Sequence, residues 1–289
     1  LAQAPYLLNA AVDIQHDFRE FTNIYFLSNE LGEFNPSTGK GTVKWQRAKY
    51  EARKAFNNML AVPTPTEGNE FPGEVYAVHP ELPFSIEFVD SRTVRVRMQS
   101  IKYSVPQPKS LMLVTDPPAN NPWDYKETDR GFVYTSEHGS VTITRNPWHI
   151  EIRNAEGKLL TKTRHLEDND NTLFPALPFS FVRRSSDYSR SFAAVFSLFP
   201  GEKIYGFGES YTKLDKVGQR VVLWVDDSHG AENERMHKPI PFFMSNRGYG
   251  MFMHTSTPIT CDVGATFSES NALLIGDDEL DLFIFLGEP

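Results

Sequence analysis

Short runs in which every second residue is apolar, punctuated by proline and glycine, constrain this chain more than any other feature. Phe84, Ile86 and Phe88 alternate with Ser85 and Glu87, and Val94, Val96 and Met98 alternate with Arg95, Arg97 and Gln99. Trp148, Ile150 and Ile152 repeat the pattern. A period of two puts one face of a strand in a core and the other in water, and a helix cannot gather such a set on one side. Residues 131–135 and 140–144 flank Ser136-Glu137-His138-Gly139, which predicts a hairpin. Asn154-Ala155-Glu156-Gly157 turns the chain into a further strand over 158–163. More strands are expected at 191–199, 203–207, 219–225, 240–245, 249–254, 259–263 and 280–286. Strands at this short spacing predict an all-β sandwich or barrel of antiparallel strands with long loops.

One segment reads differently. Lys44–Leu60 is rich in Ala, Lys, Arg and Glu, and Ala48, Ala52, Ala55, Phe56 and Met59 fall at helical spacing, so a helix is expected there. Thr42, Val43, Trp45 and Tyr50 fit the start of a long strand equally well. Residues 61–74 read as a linker or crossing loop, residues 105–122 with five prolines as a long connection, and residues 164–175 as an acidic loop.

The chain of 289 residues carries 29 Lys+Arg against 37 Asp+Glu, a net charge of −8, and no basic tract. That balance argues against nucleic acid as the ligand. No apolar run approaches the roughly 20 residues of a membrane-spanning helix. The single cysteine, Cys261, excludes an intrachain disulfide and a Cys-based zinc site. The eight histidines are scattered with no ligand spacing, so neither a metal nor a cofactor is expected. The opening Leu1-Ala2-Gln3-Ala4 resembles the tail of a secretory cleavage site and leans towards a periplasmic or extracellular address.

Few motifs carry chemistry. Gly206-Phe207-Gly208-Glu209 lacks the third glycine and the βαβ context of a dinucleotide fingerprint, and reads as a bulged strand or tight turn. Ser185-Ser186-Asp187 has no glycine-flanked elbow. Cys261 lies in an apolar run and reads as packing. The stretch 223–238 is richer: Asp226, Asp227, His229, Glu232, Glu234, Arg235 and Lys238 follow the apolar Leu223-Trp224-Val225 and precede Ile240–Met244. A polar loop between two buried strands is an ordinary solvated loop or a functional one. Carboxylates beside a tryptophan suit sugars, since they accept from hydroxyls while the ring stacks on the apolar sugar face.

Five pieces then occur in order: Ile204-Tyr205-Gly206-Phe207-Gly208-Glu209, Gly218-Gln219-Arg220, Leu223-Trp224-Val225-Asp226, Lys238 to Ser245, and Arg247-Gly248-Tyr249-Gly250-Met251-Phe252. Together they resemble the end of the N-terminal domain of glycoside hydrolase family 31, which includes α-glucosidases, α-xylosidases and α-galactosidases. The hairpin Trp148–Thr163 resembles the galactose-mutarotase-like sandwich of that family, and Leu280–Gly287 the strand leading into its (β/α)₈ barrel. The resemblance covers residues 80–289, with 1–65 matching loosely as an N-terminal extension.

The resemblance implies one N-terminal β-sandwich domain of a retaining, exo-acting enzyme that hydrolyses terminal α-linked sugars. Its two carboxylates, about 5–5.5 Å apart in retaining enzymes, would come from the barrel, as an intramolecular partner. The barrel's nucleophile motif does not occur here, so no catalytic residue is carried over. Carried over is the loop after Trp224: Asp226, with Asp227 beside it, matches an aspartate that helps form the substrate pocket, and Glu232 and His237 are further candidates. The resemblance gives Gly206 and Gly208 a strand bend at the domain interface, and Gly248 the turn Asn246-Arg247-Gly248. Two other readings stay open: a free-standing carbohydrate-binding module or lectin, and a mutarotase-like epimerase using His149, His165 and Glu209.

Overall fold

The computed structural model describes residues 12–55, 58–66, 79–102, 110–113, 123–169, 176–226 and 238–287. It is built almost wholly of antiparallel strands. The first five are β1 (Ile24–Asn35), β2 (Lys40–Ala55), β3 (Asn58–Pro65), β4 (Glu81–Phe88) and β5 (Thr93–Gln99). Then follow β6 (Asp124–Thr128), β7 (Gly131–Ser136), β8 (Gly139–Thr144), β9 (His149–Asn154) and β10 (Leu159–Lys162). After these come β11 (Ser180–Arg183), β12 (Arg190–Ser197), β13 (Ile204–Glu209), β14 (Gln219–Leu223) and β15 (Lys238–Ser245). The last are β16 (Tyr249–Met253), β17 (Ile259–Val263), β18 (Ser270–Ile275) and β19 (Glu279–Leu286).

β6 to β10 form a five-stranded meander. The others form one large sheet in the order β13-β15-β16-β19-β5-β4-β2-β1-β11-β12-β18-β17-β14, with β3 added to β2. The main core lies between the two sheets. Phe88 of β4 meets Tyr134 of β7 with ring centroids 4.4 Å apart, and Phe34 of β1 meets Phe132 at 5.1 Å. Trp148, at the head of β9, is fully buried between Phe84 and Phe179, edge-on to both. Rings bury large area and prefer such tilted contacts. The expected period-two strands are all present, and Cys261 is buried in the core, where desolvation drives its thiol pKa up.

The middle of the large sheet is buried on both faces. Ile24 and Phe26 of β1 face the main core, while Tyr25 and Leu27 join Val182, Ala193, Val195 and Leu274 in a second cluster. A 3₁₀ turn at Ile14–Phe18 caps that cluster with Ile14 and Phe18. Asp13 caps the turn, accepting from Gln15 N at 3.1 Å. A run apolar at every position is what a doubly covered strand requires.

Lys44–Leu60 is not a helix. It is most of β2 and the start of β3, joined as a hairpin from Ala48↔Pro65 to Ala55↔Asn58. β2 also pairs with β1 along Lys40–Ala48 and with β4 along Lys40–Lys44. Val43, Trp45 and Ala48 are buried there, and two flanking strands outweigh the helix propensity of Ala, Lys and Glu. The expected crossing loop at 61–74 therefore begins only after Pro65, and residues 67–78 lie outside the described ones. Of the connection expected at 105–122, residues 110–113 are described. The acidic loop expected at 164–175 opens on a 3₁₀ turn at Leu166–Asn169, and residues 170–175 lie outside.

One buried carboxylate ties the hairpin β15–β16 to the approach to β13. Glu202 Oε1 accepts from Ser245 Oγ at 2.6 Å and from Tyr249 Oη at 2.7 Å, and its Oε2 accepts from Phe199 N at 3.0 Å. Gly248 (φ 92°) completes the Asn246-Arg247-Gly248 turn above it, as expected. Arg247 reaches across to β10, donating to the carbonyls of Leu159 and Leu160. Glu202→Leu would strand two hydroxyls and an N–H without acceptors. Chemical denaturation should show a loss of about 2–4 kcal/mol.

On β9, Glu151 lies 3.7 Å from His149 Nε2 and 2.8 Å from Arg153 Nη2. The close approach of His149, aided by the hydrogen bond from Arg153 and opposed by burial, lowers its carboxyl from 4.5 to about 2. A carboxylate lowered in the folded state stabilises fully above pH 4.5 and loses that contribution as pH falls towards 2. Glu151→Gln should therefore cost about 1–3 kcal/mol at pH 7 and almost nothing at pH 2, read from denaturation at both pH values.

Candidate functional site

The two end strands of the large sheet, β13 and β14, are consecutive in sequence. Residues 210–218 must therefore carry the chain from one edge of the sheet to the other. The stretch after β14 returns to β15, the neighbour of β13. β14 comes into contact with β15, so the sheet closes towards itself at a seam.

The first crossing is internally braced. Lys216 is buried, and its ammonium donates to Thr212 Oγ1 at 2.7 Å and Ser210 Oγ at 3.1 Å. Desolvation lowers its pKa. Asp215 Oδ1 accepts from Val217 N at 3.1 Å, and Gln219 Nε2 donates to Asp215 O at 2.6 Å. This bracing holds Tyr211 and Leu214 out in solvent.

The expected irregularity in β13 is a bulge. Register slips between Gly206↔Phe243 and Gly208↔Pro239, leaving Phe207 opposite three residues of β15. Phe207 takes φ 68°, and its ring turns inward, 5.3 Å from Phe243. Gly206 (φ 132°) and Gly208 (φ 96°) allow this. A Cβ at Gly206 would lie 2.6 Å from Phe242 O, and one at Gly208 would collide with Lys238 O. Positive φ and backbone contact both require glycine.

Six of the eleven large apolar side chains exposed among the described residues belong to the segments of this seam: Tyr211, Leu214, Trp224, Val225, Ile240 and Met244, each between 42% and 76% exposed. These segments thus hold more than half of the large apolar side chains exposed among the described residues. Trp224 and half-buried Asp226, separated by Val225, follow directly after β14. Asp227, Glu232 and His237 lie outside the described residues. The sequence missed Tyr211 and Leu214; the signal was a tyrosine and a leucine inside a polar stretch, Ser210–Lys216, that needs no apolar residue.

The epimerase set is only partly assembled. The rings of His149 and His165 lie 4.8 Å apart and tilted, but Glu209 is exposed on β13 and ion-paired with Lys238 at 3.5 Å, with no described contact to the rings. Ser185 and Asp187 serve a turn: Ser185 N donates to Asn23 Oδ1 at 2.9 Å and Asp187 Oδ2 accepts from Arg184 Nη2 at 2.6 Å. Among the described residues no group of three or more His, Cys, Asp or Glu is placed to hold a metal ion.

Residues 83–262 match the glycosyl hydrolase 31 N-terminal galactose mutarotase-like domain, over more than half of the chain. The chain belongs to that family. Among curated proteins, it is 32% identical over 95 residues to an α-xylosidase of Emericella nidulans, covering 33% of this chain and 12% of that protein. It is 42% identical over 64 residues to the α-xylosidase XylQ of Lactiplantibacillus pentosus, covering 22% and 8%. The fold matches that of the Listeria monocytogenes cycloalternan-forming enzyme solved with a pentasaccharide substrate, with a TM-score of 0.62 and 19% identity over 91% of this chain and 21% of that one. A Flavobacterium johnsoniae dextranase of glycoside hydrolase family 31 solved with glucose gives a TM-score of 0.62 and 15% identity, over 91% and 27%. The chain thus spans a small part of each relative's length, and its own galactose-mutarotase-like sandwich is the family's N-terminal domain.

Gly208→Ala should disturb the bulge and the seam together. Its expected result is a loss of about 1–3 kcal/mol in chemical denaturation.

Proposed function

We propose that this domain forms one wall of the sugar-binding pocket in a retaining, exo-acting α-glycoside hydrolase. The catalytic carboxylates belong to a barrel domain packed against the seam. The observation that carries this reading is the concentration of exposed apolar side chains where β13, β14 and β15 meet, with Trp224 and Asp226 at the same place. An apolar surface beside a stacking ring and a carboxylate suits both tasks: the apolar part is covered by the neighbouring domain, and the polar part faces the sugar. Family membership supports glycoside hydrolysis as the reaction class, and the two α-xylosidases among its relatives support an α-linked sugar as substrate.

In this reading Asp226 accepts hydrogen bonds from sugar hydroxyls, Asp227 extends the acceptor set, and Trp224 stacks on the apolar sugar face. The domain would exclude water from one side of the reaction and take no proton itself. The bond-breaking step would need two carboxyl groups about 5–5.5 Å apart, which the barrel would provide.

Kinetics of the full-length protein on aryl α-glycosides test this assignment. Asp226→Ala should lower kcat/KM by about 10–100-fold with an unchanged melting temperature, and Trp224→Ala should act mainly on KM. Parent kinetics from Asp226→Ala would remove the loop from the pocket. Tight sugar binding by residues 1–289 alone, measured by calorimetry, would favour a carbohydrate-binding module instead.

A further inference from the structure

On the face of β16 and β19 turned away from the main core, three side chains form a chain of short hydrogen bonds. Ser110 Oγ lies 2.6 Å from His254 Nε2, and His254 Nδ1 lies 2.7 Å from Asp281 Oδ2. Asp281 is on β19, His254 directly follows β16, and Ser110 comes from the segment 110–113. The residues are distant in sequence, which is why no motif announced them.

The frame around them is rigid. Arg95 of β5 grips Asp281 with both arms, Nε to Oδ1 at 2.8 Å and Nη2 to Oδ2 at 2.7 Å. His254 N donates to Asp281 O at 2.9 Å, so the imidazole is tied to the same residue through backbone and side chain. Phe252 and Phe283 flank the imidazole, each with its ring centroid 6.0 Å away. With Asp281 holding the proton on Nδ1, Nε2 is left to accept from the serine hydroxyl. Met112 N donates to Ser110 Oγ at 3.1 Å, which places a backbone donor beside the atom that would react.

We infer that Ser110, His254 and Asp281 form a second site, a nucleophilic acyl-transfer centre for small neutral carboxylic esters. The residue roles follow from geometry, as in other serine–histidine–aspartate sets on unrelated folds. Ser110 Oγ bonds to the ester carbonyl carbon while its proton passes to His254 Nε2. The carbon–oxygen bond to the alcohol then breaks, and His254 protonates the departing alkoxide. A water next adds to the acyl-serine and gives its proton to His254. The carboxylic acid leaves, and Ser110 recovers its proton. Ester and water are consumed, acid and alcohol are released, and no other reactant is needed. Asp281 stabilises the imidazolium, and Arg95 fixes that carboxylate in place through both of its oxygens. The apolar surroundings favour a small neutral ester: Phe252 and Phe283 beside the imidazole, with Leu111 fully exposed and Met112 partly so.

The test uses the full-length protein, an alkyl fluorophosphonate probe and p-nitrophenyl acetate. Peptide mass spectrometry should find one phosphonyl adduct, on Ser110 of the unsubstituted protein, a readout that needs no variant to fold. Ser110→Ala should abolish the adduct, and His254→Gln should slow both labelling and acetate release by about 100-fold or more, with melting temperatures checked for each. Absence of an adduct on Ser110, or labelling at an equal rate in folded His254→Gln, would overturn the assignment and leave the three residues as a structural brace for segment 110–113.

Discussion

The covalent link between β13 and β14 governs this architecture. These strands are the two ends of the large sheet, yet only residues 210–218 separate them. A connection that short cannot span the width of an open sheet this size, since strands sit about 4.8 Å apart. The sheet must therefore curl until its ends approach one another. Right-handed strand twist makes such curling natural, and the buried Lys216 with its two hydroxyl acceptors fixes the connection that enforces it.

Closure by loops leaves a different surface from closure by strand pairing. β13 and β14 are not hydrogen-bonded neighbours in the sheet order, so the seam is made of side chains and turns. There the interior residues of β15, Phe243 and Ser245, are buried while Ile240 and Met244 face out. The bulge at Phe207 contributes by taking one ring into the core at the very edge of the sheet. The price in backbone strain falls on two glycines, which tolerate it. Most of the fold's apolar surface is shielded between the sheets or beneath the turn Ile14–Phe18.

How much of this was legible follows from which forces act locally. Alternation revealed β4, β5, β8 and β9, because each has one wet face. It said nothing about β1, where Ile24-Tyr25-Phe26-Leu27 is covered on both sides by segments far away in the chain. It misled at β2, whose alanines fall at helical spacing; β1, β3 and β4 decide its state, and none of them is visible from local composition. The bulge at Gly206–Gly208 was readable because its glycines are a backbone requirement. At the site, Trp224 and Asp226 were singled out by the polar run that follows an apolar strand and by the resemblance, whereas Tyr211 and Leu214 required knowing that residues 210–218 run along the seam. Ser110, His254 and Asp281 could not be assembled from sequence at all, since the pairing Met253↔Leu282 is what brings β16 and β19 into register.

The same register explains why polar chemistry can sit on this sheet without weakening it. Along β19, Leu280, Leu282, Ile284 and Leu286 point into the core, and the intervening positions are free to be polar. Asp281 occupies one of them and meets Arg95 from β5 across the pair Asp281↔Arg97 and its diagonal neighbour. A carboxylate so enclosed needs a partner for each oxygen, or the cost of burial outweighs the gain. Arg95 and His254 together supply them. Had Arg95 been apolar, each oxygen of Asp281 would lose a donor, and with them the fixed position that orients the imidazole. The guanidinium is held in turn by its position over the Phe283 ring, 4.9 Å from the centroid, and by Glu87 at 3.5 Å. A ladder of alternating core and solvent positions, set by strand pairing alone, thus positions a charge network that single strands could not hold.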